Sequence, residues 1–146
     1  MRRYRIAKPR LNFWRTTTAV VPHSIDIVVA DMARALGFYS ALGLAVPDGA
    51  GEAPQVQIDT TGGATLGFLT EAMMRQVYPE WVQPVGQRVT FACRCDSAAE
   101  VDAVYASVVA VGYQGRQAPW DSPWGQRYAM LTDPDGNRVD LFAELS

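Results

Sequence analysis

The chain is poor in the side chains from which metal centres and nucleophilic catalysts are commonly built: its 146 residues include one histidine, His23, and two cysteines, Cys93 and Cys95. A single imidazole falls short of a zinc or iron site that needs two or three, and no serine or cysteine stands with it as a nucleophile–base pair. The cysteines lie two apart within an apparent strand. That spacing forms neither a Cys-x-x-Cys redox pair nor a zinc knuckle, so buried, reduced thiols are expected. No segment approaches about 18 uninterrupted apolar residues, and no apolar core of about 7–15 residues follows the charged N-terminus, so no membrane association and a cytoplasmic location are expected. Excess positive charge is missing as well. With a net charge of −2, the chain has no overall basic field to hold a phosphate backbone, and nucleic acid is not an expected partner.

What remains is the composition of a folded protein, 49% hydrophobic and 19% charged, at a length suited to one domain. Arg2, Arg3, Arg5, Lys8, Arg10 and Arg15 set off residues 1–21 as a basic arm, either a solvated tail or a handle for an acidic partner. The single domain is expected over residues 22–146.

Within it, Ser24–Ala30 alternates Ile25, Ile27 and Val29 against polar neighbours, the pattern of a half-buried strand. Asp31 then caps Met32–Leu42, apolar at helical spacing until Gly43. Short strands are predicted at Leu44–Val46, Gln55–Asp59 and Ala64–Thr70. A connector over residues 71–87 carries Pro79, Pro84 and Gly86 and reads as irregular, with room for a helical turn at Ala72–Val77.

The order then returns. Val89–Cys95 is a predicted strand, and Asp96 or Ser97 caps a helix reaching about Val111 before Gly112. Strands follow near Tyr113–Gln117, at Arg127–Thr132 and at Asn137–Ala143, with a Trp-Pro-rich loop and the turn Asp133-Pro134-Asp135-Gly136 between them. The fold class expected is therefore α+β: two βαβββ repeats, about residues 22–70 and 88–146, forming an open cup-shaped mixed sheet with the helices on its outer face. Gly-ended turns phase the repeats so that Gly67 is equivalent to Asp140, and Ser24 to Val89 or, one residue on, Thr90.

The segment Val28-Val29-Ala30-Asp31 through Phe38-Tyr39 to Leu42-Gly43, and the terminal Trp124-Gly125-Gln126-Arg127-Tyr128 through Asp133-Pro134-Asp135-Gly136 to Phe142, resemble the glyoxalase/bleomycin-resistance/dioxygenase (vicinal oxygen chelate) superfamily. The resemblance spans about Pro22 to Leu145. In metal-dependent relatives, inward residues on the first and last strand of each repeat hold a divalent ion, commonly as His or Gln and Glu. Here the matching positions hold Ser24, Gly67, Val89 or Thr90, and Asp140. Only Asp140 is a ready ligand, hydroxyls being poor donors to Zn, Ni, Mn or Fe. His23 is one residue out of phase and should face the other way. No metal and no other cofactor is therefore expected, and the resemblance points to the metal-free bleomycin-resistance-like branch.

Strand alternation turns Ser24, Asp26, Thr65, Gly67, Tyr128, Met130, Arg138, Asp140 and Phe142 toward the cup, with Trp120 and Trp124 at its rim. Indole and phenol faces around a polar floor suit a planar aromatic guest, its polar or cationic edge held by Asp140. The leading expectation is a metal-independent protein that sequesters an aromatic natural product or antibiotic, the resemblance implying a homodimer with a shared groove. The alternatives are a lyase, isomerase or dioxygenase-like enzyme using Asp26 or Asp140 as general base, and a partner-binding module using the basic arm and the Trp81 region.

Overall fold

The computed structural model describes residues 23–87 and 89–145. The basic arm expected over residues 1–21 lies outside them.

The first repeat opens with strand β1, Ser24–Val29, whose Ile27 and Val29 are buried while Ile25, nearer the strand's open end, is half-exposed. Helix α1, Met32–Leu42, starts where the Asp31 carboxylate accepts the Arg34 N–H at 2.8 Å and stops at Gly43, whose φ of 109° only glycine adopts freely. Its buried side, Met32, Ala35, Leu36, Phe38, Tyr39 and Leu42, follows the spacing that put a helix there.

Leu44–Val46 is not the strand that its apolar character suggested. The Gly43 cap reverses the chain, Val46 N–H turns back onto Leu44 O at 2.9 Å, and Pro47 follows. Leu44 and Val46 pack against the core without joining a ladder. A short 3-10 turn, Ala50–Glu52, leads into β2, Gln55–Asp59, and β3, Thr65–Thr70, so the first repeat has three strands. Helix α2, Glu71–Val77, occupies the connector where a helical turn was allowed for, capped by Thr70.

The second repeat is complete: β4 Thr90–Arg94, α3 Ala98–Ala110, β5 Gln114–Asp121, β6 Gln126–Thr132 and β7 Arg138–Glu144. Ser97 caps α3 by accepting the Glu100 N–H, while Glu100 reaches back to the Asp96 N–H at 2.6 Å. β5 extends further than the sequence suggested, taking Pro119, Trp120 and Asp121 out of the expected loop. A proline is tolerated there because β5 is the edge strand, and its register shifts between Gln117 and Trp120 remove the ladder bond that proline cannot make. The turn shrinks to residues 122–125.

Two mixed sheets result, ordered β1-β3-β2 and β4-β7-β6-β5, with no closed barrel among the described residues. The wiring is the same in both: the opening strand of each repeat lies parallel to its closing strand, β1 to β3 and β4 to β7, and the remaining pairs are antiparallel.

The repeats are joined at a polar seam. The Asp133 carboxylate, 3% exposed, accepts from the N–H groups of Asp135 and Asn137, from Asn137 Nδ2 and, at 2.9 Å, from the Tyr39 hydroxyl of α1. Asp135 accepts the Ala30 N–H at 2.9 Å. The Asp-Pro-Asp-Gly turn thus holds its own loop and grips the first repeat at the junction of β1 and α1. Among the described residues no buried side-chain nitrogen or oxygen lacks a partner. No helix among them is long and apolar enough to cross a membrane.

Candidate functional site

Pairing across the second sheet lines up one open face in rows. Thr90, Arg138 and Thr132 form the first, from β4, β7 and β6. Ala92, Asp140, Met130 and Gln117 form the second, and Arg94, Phe142, Tyr128 and Trp120 the third. The alternate residues Val139, Leu141, Ala129 and Leu131 are buried in the core beneath. The two-residue alternation that placed Tyr128, Met130, Asp140 and Phe142 on a common face therefore holds.

The third row and its turn make an aromatic platform. Trp120, Trp124 and Tyr128 meet edge to face, with centroids 5.3 to 6.3 Å apart, and Tyr128 stacks beside Phe142 at 6.5 Å. Rings in mutual edge contact leave no slot between them, so the trio is a surface on which a flat molecule lies and not a clamp around one. Trp124 is 49% exposed and is oriented by its indole N–H, which donates to Gln126 Oε1 at 3.0 Å. Gln126 in turn donates to Glu144.

The second row carries the charge. Asp140 is 3% exposed, and both of its oxygens are engaged: Oδ2 accepts the Tyr128 hydroxyl at 2.7 Å and Oδ1 the Arg138 Nε–H at 3.0 Å. The pairing satisfies the requirement that a buried carboxylate be neutralised and hydrogen-bonded. Arg138 thereby meets the charge that the sequence suggested for holding a cationic guest. Burial and the bond to Asp140 push the Tyr128 phenol up to about 12, which keeps it protonated as a donor at neutral pH.

Ser24, Asp26 and Gly67 lie apart from this group, on β1 and β3 of the first sheet. No ladder joins the two sheets among the described residues. Asp26 pairs with Gly67 and bends over it, so that a Cβ at position 67 would collide with the Asp26 carboxylate. The glycine is the space the aspartate occupies. His23 sits at the start of β1, exposed, its carbonyl accepting the Thr65 N–H.

Register settles the phasing of the repeats. Ser24 pairs with Thr65, two before Gly67, and Thr90 pairs with Arg138, two before Asp140. Thr90, not Val89, is therefore the equivalent of Ser24. The positions at which metal-dependent relatives hold their ion carry two hydroxyls, a glycine with no donor and an aspartate already bonded twice. These residues do not fit a transition-metal centre. No group of three or more His, Cys, Asp or Glu converges among the described residues.

The cysteines are half-buried and unbridged. Burial raises the Cys93 thiol, and burial with Glu100 nearby brings Cys95 to about 11, values that suit inert thiols. Two residues of the open face escaped the sequence analysis as site candidates: Arg94, whose signal was the alternation Thr90, Ala92, Arg94 against the more buried Phe91 and Cys93, and Gln117, obscured by the bulge in β5.

Against known families, residues 21–141 match the model of the Glyoxalase/Bleomycin resistance protein/Dioxygenase superfamily. The chain belongs to that superfamily. Among solved structures, a glyoxalase/bleomycin resistance protein/dioxygenase from Nocardioides aligns with a TM-score of 0.70 at 23% identity, covering 90% of this chain and 87% of that one. A family enzyme from Burkholderia phytofirmans PsJN aligns with a TM-score of 0.73 at 20% identity over 86% of this chain and 100% of that one. Lactoylglutathione lyase from Agrobacterium tumefaciens aligns at 0.64 and 21% over 87% and 95%. At such identities the likeness is one of fold. A comparison with curated proteins gives no match. Within the superfamily, the chain departs from the metal-binding pattern at three of the four equivalent positions, Ser24, Gly67 and Thr90.

Proposed function

We propose that this superfamily member binds a planar aromatic small molecule on the open face of its second sheet, without a transition metal, as a sequestering protein of the antibiotic self-resistance kind. The observation that carries the reading is the continuous aromatic row of Trp120, Tyr128 and Phe142, with Trp124 at its edge, beside a polar floor. Apolar faces beside a few fixed polar groups are what small-molecule sites offer. Asp140, held between Tyr128 and Arg138, is poorly placed as a general base, because taking a proton would cost it a charge-assisted bond. Asp26 is the carboxylate left for the enzymatic alternative.

The reading includes a cytoplasmic homodimer that brings Ser24, Asp26 and Gly67 of one copy toward the second sheet of the other, since among the described residues each sheet has two open edges. Chelator-treated protein, titrated with bleomycin, mitomycin and planar aromatic antibiotics, should show tryptophan fluorescence changes and thermal stabilisation by mass action, and light scattering should give about twice 16.0 kDa. Binding that appears only after Zn, Mn or Fe(II) is restored, or turnover abolished by Asp26→Asn, would refute the proposal.

A further inference from the structure

The charges of this open face are unequally committed. Asp140 is buried with both oxygens bonded, and Glu144, beyond the aromatic row, accepts from Gln126. Arg138 spends Nε on Asp140 and one Nη2 proton on the Met130 sulfur at 2.8 Å, a weak acceptor, and its side chain is still 37% exposed. Its Nη1 has no partner among the described residues. Arg94, exposed on the neighbouring strand, has neither an ion pair nor a side-chain hydrogen bond among them.

The strand positions of Arg94 and Arg138 flank one small residue. Arg94 pairs with Phe142 and Thr90 with Arg138, and between the two pairs lies Ala92, opposite Asp140. Rows of a sheet face are two residues, about 6.6 Å, apart along the strand. An arginine stem spans one such row, so the Arg94 head group can be laid over the Ala92 methyl, beside the Phe142 ring, facing the Arg138 guanidinium where it is held at Asp140 and Met130.

We infer that the ligand of this face is an aromatic anion, its ring system lying on Phe142 and Tyr128 and its carboxylate, sulfonate or phosphate received by Arg94 and Arg138 over Ala92. The inference rests on the proposed aromatic-binding reading and gives it a charge class. A guanidinium offers paired N–H donors in the geometry that an oxyanion accepts. A cationic guest over Ala92 would meet two positive groups there, the exposed Glu144 carboxylate lying one row further on, beyond Phe142 and held by Gln126.

Three probes of one shape separate charge from stacking: naphthalene-2-carboxylate, naphthalene-2-carboxamide and 2-naphthylmethylammonium, titrated calorimetrically into the full chain. The carboxylate should bind about tenfold or more tighter than the amide, as expected when charge-assisted bonds replace neutral ones, and the ammonium weakest. Added salt should weaken the carboxylate and leave the amide nearly unchanged. Arg94→Gln, at an exposed position where folding is not at stake, should weaken the carboxylate by roughly fivefold or more and the amide by less than about twofold. Arg138→Lys retains a charge opposite Asp140 and should show a smaller loss of the same kind, with circular dichroism checking the fold of both variants. If carboxylate and amide bind wild type equally, or Arg94→Gln weakens both alike, the anion inference fails while aromatic binding stands. If none of the three binds, both fail.

Discussion

Replacing Tyr39 with phenylalanine removes one oxygen from the seam between the repeats and keeps the ring, whose edge contacts with Phe38 and Phe68 at 5.1 and 4.8 Å persist. What is lost is the 2.9 Å bond from a hydroxyl on a residue 1% exposed to the Asp133 carboxylate. A hydrogen bond to a charged group contributes about 1.5–3 kcal/mol, and Asp133 keeps its three bonds from Asp135 and Asn137, so the carboxylate is not stranded. The cost should fall in the lower half of that range, about 1.5–2 kcal/mol, or roughly 3–8 °C in Tm for a domain of this size. Urea melts of wild type and Tyr39→Phe measure it. A second signature comes from pH. Burial and the adjacent Asp133 push the Tyr39 phenol far above its ordinary value, so the folded chain keeps a proton that the unfolded chain sheds above about pH 10. Stability should be indifferent to this group below pH 10 and fall above it, by up to about 1.4 kcal/mol per pH unit. In Tyr39→Phe that share of the alkaline loss disappears, leaving the shares due to Tyr128, Cys93 and Cys95, which are raised in the folded chain as well. A loss under about 0.5 kcal/mol, with an unchanged alkaline limb, would show that the seam does not depend on this bond.

Gly67→Ala should cost about 1–3 kcal/mol by driving a methyl into Asp26, and Asp26→Ala in the same chain should recover much of it; a double-mutant cycle with additive losses would refute the coupling. Cys93 and Cys95, with thiols raised by burial, should react slowly with a disulfide reagent at neutral pH in the folded chain and promptly in denaturant; equal rates would contradict their placement.

Strand alternation and the cap residues Asp31, Gly43 and Ser97 made most of the fold legible, because these signals are local and act where they are written. Leu44–Val46 misled because three apolar residues can pack on a core without a ladder, and nothing within them states that Gly43 has turned the chain away from the sheet. Pro119 misled in the other direction: its missing donor excludes a central strand, but strand order decides whether a strand is central, and β5 is an edge. For the candidate site, alternation placed Tyr128, Met130, Asp140 and Phe142 together. It did not reveal that Arg138 and Tyr128 consume the Asp140 oxygens, since that depends on rotamers and on which residues face each other across β6 and β7.

The seam at Asp133 and Asp135 also bears on how the chain acquires its structure. Its bonds to Tyr39 and Ala30 close loops of 94 and 105 residues. Contacts of such separation are entropically late in folding. On a ribosome, α1 and the end of β1 are made early, but their partners in the Asp-Pro-Asp-Gly turn emerge only with the last strands. The first repeat must therefore wait, with the Tyr39 hydroxyl and the Ala30 amide hydrated, until most of the second repeat has been synthesised. The internal duplication does not make two separable folding units, and the second half finishes the first.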